Sequence, residues 1–291
     1  MLRVCMDILV NSMYETLVLF PYLFLTYLLM EYLENTMSRQ SVIAIRRAKQ
    51  FGPVVGSFLG MIPQCGFSVS ASNLYRTGLI SLGTLIAIFL STSDEMLPVL
   101  ISGGVGANFI IKILSIKLIL SVIAGILVDN YLPQKFIRHR NEPSIKAFCL
   151  QEKCKCESKK DSIFKLAYRH TERISIFIFI ISLIFNAYFT FMGYYSIKNM
   201  LVSAPILSKF IASFVGLIPS CYPSVLLAQL YLDDIISLST LMVGSFSNAG
   251  VGLMVLFRIN HNRRETMRII FLVYVISIIL GFAFEGIFKA V

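Results

Sequence analysis

The sequence predicts an all-α polytopic membrane protein made of two inverted-topology repeats. Each repeat is expected to hold full transmembrane helices and a broken or re-entrant hairpin, about ten membrane segments in all. Three observations carry this expectation. The 291-residue chain is 56% hydrophobic and 14% charged, with a mean hydropathy of +0.76. Several apolar runs reach the roughly 20 residues that cross about 30 Å of hydrocarbon. Residues 57–91 (SFLGMIPQCGFSVSASNLYRTGLISLGTLIAIFLS) and 213–247 (SFVGLIPSCYPSVLLAQLYLDDIISLSTLMVGSFS) align without a gap and agree at 16 of 35 positions. The agreement includes Pro63 with Pro219, Cys65 with Cys221, Tyr75 with Tyr231 and Thr84 with Thr240, so it goes beyond shared hydrophobicity. Duplicated halves with helices interrupted by Pro and polar residues are the sequence mark of a secondary transporter.

The apolar runs fall at 14–33, 79–101, 109–132, 173–192, 235–257 and 266–288. The first has neither the basic flank nor the small-residue cleavage site of a signal peptide, and reads as a retained span. The net charge of +10 comes from three clusters, Arg39 to Lys49, Lys135 to Arg173 and Arg258 to Arg268. Basic residues flank membrane spans on the cytoplasmic side, so this charge implies a bilayer as partner and excludes nucleic acid. The expected domains are a first transmembrane repeat, 1–132, a basic cytoplasmic linker, 133–163, and a second transmembrane repeat, 164–291.

Within each repeat the duplicated motif reads as a pair of half-helices. Residues 53–62 and 66–76 flank Pro63-Gln64-Cys65-Gly66, and 206–218 and 222–232 flank Pro219-Ser220-Cys221-Tyr222-Pro223. Each arm is too short to cross a bilayer at about 1.5 Å per residue. If each pair turns back as a hairpin, each repeat has three full crossings, every basic cluster lies inside, and both termini lie outside. If each pair crosses once, Arg258, Arg263, Arg264 and Arg268 lie outside, against the charge rule. The hairpin is favoured, and an odd number of crossings makes the repeats inverted. The expected location is the cell inner (cytoplasmic) membrane, multi-pass.

The next helix of each repeat carries its own interruption. Residues 79–101 contain Ser91-Thr92-Ser93-Asp94-Glu95, then Pro98, and the partner run contains Ser245-Phe246-Ser247-Asn248-Ala249-Gly250. Hairpin tips and unwound segments tolerate irregular backbone only where protein or water surrounds them. Both should therefore meet near the midplane as a cage. Its candidate lining is Gln64, Cys65, Ser91, Ser93, Asp94, Glu95, Ser220, Cys221, Ser247 and Asn248. Asp94 and Glu95 are costly in an apolar span, and such groups usually bind ions. Cys65 and Cys221 offer soft thiolates at matching tips, although a small apolar residue also suits a tight turn. Asn73 and Gln229, matched beside the tyrosines, are secondary candidates. A metal ligand set of Cys65, Cys221, Asp94 and Glu95 follows, with Cys149, Cys154 and Cys156 of the basic linker as a further thiol cluster. These linker thiols would face a reducing compartment, so no disulfide framework is expected. The chain has no phosphate-binding glycine loop and no HExxH pair, so neither an enzyme nor a cofactor is implied.

The stretches GMIPQCGFSVSASNLY, ISLGTLIAIFLSTSDEMLPVLIS and GLIPSCYPSV, with the Cys-bearing central loop, resemble a bacterial family labelled "arsenic efflux protein" and "putative manganese transporter". The same family is also described as a ten-span heavy-metal exporter. The resemblance covers essentially the whole chain. It implies efflux of a metal or metalloid ion, with arsenic and manganese as the named cargoes. The central loop of such relatives is rich in His and Cys; here it keeps three Cys but no His between 140 and 169. The expected partners are the bilayer, the transported ion and a coupling ion, H+ or Na+, with homo-oligomerisation left open. Two other readings stand beside efflux: an ion-coupled carrier of a small organic anion or other solute, and a membrane channel or sensor subunit without a transport cycle.

Overall fold

The computed structural model describes residues 51–62, 65–93, 96–132, 163–188, 205–220, 222–260 and 262–290, with scattered positions between 6 and 28. Among the described residues every regular element is an α-helix. The first repeat supplies α1 (Gly52–Gly60), α2 (Cys65–Thr77), α3 (Leu82–Ser91), α4 (Met96–Ser102) and α5 (Ala107–Tyr131). The second supplies α6 (Ile163–Tyr188), α7 (Pro205–Gly216), α8 (Tyr222–Leu232), α9 (Leu238–Ser247), α10 (Val251–Ile259) and α11 (Arg263–Ala290). The sequence duplication is thus a structural one: α1 to α5 correspond in order to α7 to α11. The expected linker 133–163 lies outside the described residues except for Ile163, which opens α6.

Small residues at every fourth position fix the packing of the hairpin arms. Gly52, Gly56 and Gly60 run down one face of α1 and abut Thr84, Ile88 and Ser91 of α3. In the second repeat Ser208 bonds to Thr240 at 3.2 Å, the Ala212 carbonyl approaches Gly244, and Gly216 abuts Ser247. Spacing of this kind lets helix backbones approach closely where lipid offers no hydrophobic drive. The order of contacts makes α1 parallel to α3 and α7 parallel to α9. Gly83 and Ala87 meet Asp129 and Gly125, so α5 runs antiparallel to α3.

These registers give the hairpins their shape. The start of α1 and the start of α3 lie together, and α2 ends four residues before α3 begins. The arms α1 and α2 therefore run out and back, with both outer ends at the same face as the start of α3. The arms α7 and α8 repeat the pattern.

The repeats interlock by exchanging partners. Arm α2 of the first repeat packs along α10 of the second, and α8 packs along α4. Ser72 Oγ donates to the Gly252 carbonyl at 2.7 Å, and Arg76 Nε donates to the Ile259 carbonyl at 3.1 Å. Tyr75 adds a 2.7 Å bond to Glu265 Oε1. The end of α2 thus shares a face with the α10–α11 turn. At the other end, Leu232 of α8 touches Gly103, just beyond α4. The equivalent arms α2 and α8 finish at opposite faces, which makes the repeats inverted, as the charge pattern requires.

Among the described residues four helices are long and apolar enough to cross a bilayer: Leu82–Ser102, Ala107–Tyr131, Leu238–Ile259 and Arg263–Phe288. The first and third are the interrupted pairs α3–α4 and α9–α10, and their apolar windows are 75% and 89% buried, against 39% for the other two. The broken helices form the centre, and α5 and α11 form the wall. The 14–33 run is described only in part; Phe20 packs edge-on against Tyr168 and Phe24 lies near Phe164 of α6.

Candidate functional site

Helix α3 begins on a serine cap: Ser81 Oγ accepts from Thr84 N at 3.1 Å. It stops at Ser91, where Thr92 leaves the helical region with ψ 130°. The chain resumes as α4 at Met96. Helix α9 starts in the same way, with Ser237 accepting from Thr240 N at 3.2 Å, and stops at Ser247. Its break passes through Gly250 at φ 52°, a left-handed backbone that favours glycine. Helices α3 and α9 therefore begin and end alike, and both stop at the interruptions read from the sequence.

The serines at the breaks turn their hydroxyls onto their own helix. Ser91 Oγ donates to the Ile88 carbonyl and Ser247 Oγ to the Gly244 carbonyl, each at 3.0 Å. Thr92 Oγ1 also reaches the Ile88 carbonyl, and Ser93 Oγ the Ser91 carbonyl. Asn248 spans its own break: its amide bonds to Ser224 Oγ at the start of α8, and its oxygen accepts from Gly250 N. All these residues are buried. Ser220, beside the second hairpin tip, is 2% exposed, and its hydroxyl has no hydrogen-bond partner among the described residues.

One residue that the sequence pattern did not single out ties the two breaks together. Lys117, halfway along α5, is fully buried. Its ammonium donates to the Thr92 carbonyl and to Ser93 Oγ (3.2 Å) on the first break. It also donates to the Ser245 carbonyl (3.2 Å) and Ser245 Oγ (2.6 Å) on α9. The ring of Phe246 lies 5.7 Å from the charge. Thr92, Ser93 and Ser245 are thus gathered around one nitrogen. The signal that could have found Lys117 was its charge in the 109–132 run, since an ionisable group inside a span is a site candidate by default.

The expected lining residues fall into two groups. Ser91, Ser93, Ser247 and Asn248 sit at the paired breaks, and Ser220 at a hairpin tip. Asn73 is buried on α2, whereas its counterpart Gln229 is exposed on α8. The two therefore do not share an environment, because the repeats present different faces of these arms to the centre. Gln64, Asp94, Glu95 and Cys221 lie outside the described residues, as do Cys149, Cys154 and Cys156. Cys65 opens α2, but its side chain is not among those described. Among the described residues no three His, Cys, Asp or Glu side chains group as a metal site.

A half-buried charge pair belongs to the second repeat. Lys209 of α7 pairs with Glu285 of α11 and stands 4.3 Å from the Phe282 ring. At the corresponding place in the first repeat, Asp129 holds the start of α3, accepting from Gly83 N at 2.8 Å and Ser81 Oγ at 2.6 Å.

No curated protein and no solved structure matches the chain. A family match covers residues 5–165 and 142–281, two stretches that follow the two repeats. With its apolar helices and inverted halves, the chain is a multi-pass membrane protein and belongs to the family described as "Putative, 10TM heavy-metal exporter".

Proposed function

We propose that this protein is a secondary active transporter that exports a thiophilic metal or metalloid ion, with the paired helix breaks as its central binding region. The observation that carries the reading is the meeting of Thr92, Ser93 and Ser245 at Lys117, which brings the interruptions of two inverted repeats to one place. Discontinuous helices at a repeat interface are where such carriers hold substrate and coupling ion.

In this reading the basic linker and the α10–α11 turn face the cytoplasm, and both termini face outward across the inner membrane. The domains are the two repeats, 1–132 and 164–291, joined by the linker 133–163. Hairpin α1–α2 re-enters from the cytoplasmic side and α7–α8 from the other. Their tips carry Cys65 and Cys221 toward the middle as soft ligands. Gln64, Ser91, Ser93, Ser220, Ser247 and Asn248 surround the cargo, and Asp94 and Glu95 handle charge during the cycle. Alternating access follows from moving the hairpin-bearing part against the scaffold spans. The linker cysteines would collect cargo before entry.

The test is uptake into inverted vesicles, with arsenite, manganese, zinc and cadmium offered in turn, with and without a proton gradient. The expected result is gradient-dependent uptake of at least one soft ion, lost in the Cys65→Ser/Cys221→Ser double variant. Undiminished uptake in that variant would remove the thiolates from the mechanism. Counterflow of labelled against unlabelled cargo in proteoliposomes separates a carrier from a channel. Uptake of organic anions but of no metal would favour the solute-carrier alternative.

A further inference from the structure

A protonated lysine has three N–H donors and no acceptor. Among the described residues Lys117 engages these donors with four oxygens: the Thr92 and Ser245 carbonyls and the Ser93 and Ser245 hydroxyls. It has no spare donor for an anionic cargo, so an anion-anchoring role does not fit. The oxygens have another meaning. Main-chain carbonyls freed at a helix break, with nearby hydroxyls, are the ligands with which carriers of this architecture hold a sodium ion. Thr92 sits at such a break, and Ser245 lies three residues before the other. Alkali cations are hard and prefer oxygen ligands, which is the donor set here.

We propose that the ammonium of Lys117 occupies the coupling-cation site at the crossing of the broken helices, so that the protein carries its monovalent cation covalently and works without sodium. This rests on the carrier reading above and narrows its coupling ion. Lys117 reaches the site from α5, in the wall, and touches both breaks. It is a positioning residue that holds the two repeats at one relative setting. Its positive charge offsets carbonyl dipoles that would otherwise face one another unpaired in a dry interior.

The test begins with thermal melting of the purified full chain in detergent. Sodium, potassium or methylammonium chloride is titrated against choline chloride at constant ionic strength. The wild type is expected to melt at one temperature in all four salts. Lys117→Ala is expected to melt lower in choline and to recover saturably with sodium or methylammonium, because a ligand bound only by the folded state stabilises it by mass action. Lys117→Met, which refills the shaft of the side chain without the charge, is the second variant and should respond in the same way. If both variants fold and neither responds to any small cation, the proposal is overturned. Should neither variant fold, the wild type decides in proteoliposomes: equal transport in sodium and choline supports the proposal, and a sodium requirement overturns it. The melting result does not depend on which cargo moves, so it can fail with export intact. Absence of metal transport can equally leave the cation response untouched.

Discussion

Gly60 lies so close to Ser91 that a methyl group on its Cα would overlap the serine hydroxyl and stand 2.7 Å from the Ile88 carbonyl. Gly216 stands in the same relation to Ser247 and the Gly244 carbonyl. Each hairpin arm is therefore pressed against the last turn of the broken helix beside it, next to the break. Gly60→Ala and Gly216→Ala should each destabilise the fold by about 1–3 kcal/mol, the usual cost of overpacking. Gly286→Ala, with open space around its Cα, should be neutral. Thermal melting of the three variants in detergent checks this, and equal behaviour of Gly60→Ala and Gly286→Ala would refute the close approach.

The repeats differ in how they satisfy one buried serine pair. Ser213 and Ser277 bond to each other at 2.7 Å, and Ser277 also donates to the Tyr274 carbonyl at 2.8 Å. Their counterparts Ser57 and Ser121 are equally buried, yet neither hydroxyl has a partner among the described residues. Removing one member of a bonded pair strands the other, at a cost of about 1–3 kcal/mol, whereas removing a hydroxyl that makes no bond costs little. Ser213→Ala should lower the melting temperature, and Ser121→Ala should leave it unchanged or raise it. The reverse order would contradict the asymmetry.

The Lys209–Glu285 pair links α7 to the end of α11, with the lysine side chain 8% exposed and the carboxylate 31% exposed. Truncating one partner of such a pair removes a counter-charge from the other, and replacing both with apolar groups is often neutral. Because the carboxylate keeps water contact, Lys209→Met or Glu285→Leu alone should cost about 1–3 kcal/mol. The double variant should recover at least half of the summed loss. A double-mutant cycle measured by thermal melting reads this, and strict additivity would show that the pair contributes nothing.

Much of the fold was legible because it is written twice. The duplicated Pro-Cys turn marked both hairpins. Ser91 to Glu95 and Ser245 to Gly250 marked both breaks, since a polar run inside an apolar helix is costly unless the backbone opens there. Charge then fixed which ends lie together: Arg76 with the 258–268 turn, and the uncharged 102–108 loop with Asp233 and Asp234. What a linear reading hides is exchange between repeats. Nothing in α2 names α10 as its partner, because the link runs through main-chain carbonyls of Gly252 and Ile259. Lys117 was hidden for a different reason. Its helix has a mean hydropathy of 2.4, which a single charge does not disturb, and its partners among the described residues come from two stretches distant in sequence, 92–93 and 245–246. The correspondence of Asn73 with Gln229 did not reveal that the first is buried and the second exposed, because matching positions in two repeats need not have the same neighbours.

The account stands on inversion: the broken helices come from halves that face opposite sides, so their meeting point can open to either. Single cysteines at Asn108, Asn130, Asp233 and Asn262, all exposed, in a variant whose six native cysteines are replaced, test this with a membrane-impermeant thiol reagent. Cysteines at 108 and 233 should label from one face of the membrane, and those at 130 and 262 only from the other. Labelling of 108 together with 262, which open the last helix of their respective repeats, from the same face would place the two repeats in parallel and contradict the account.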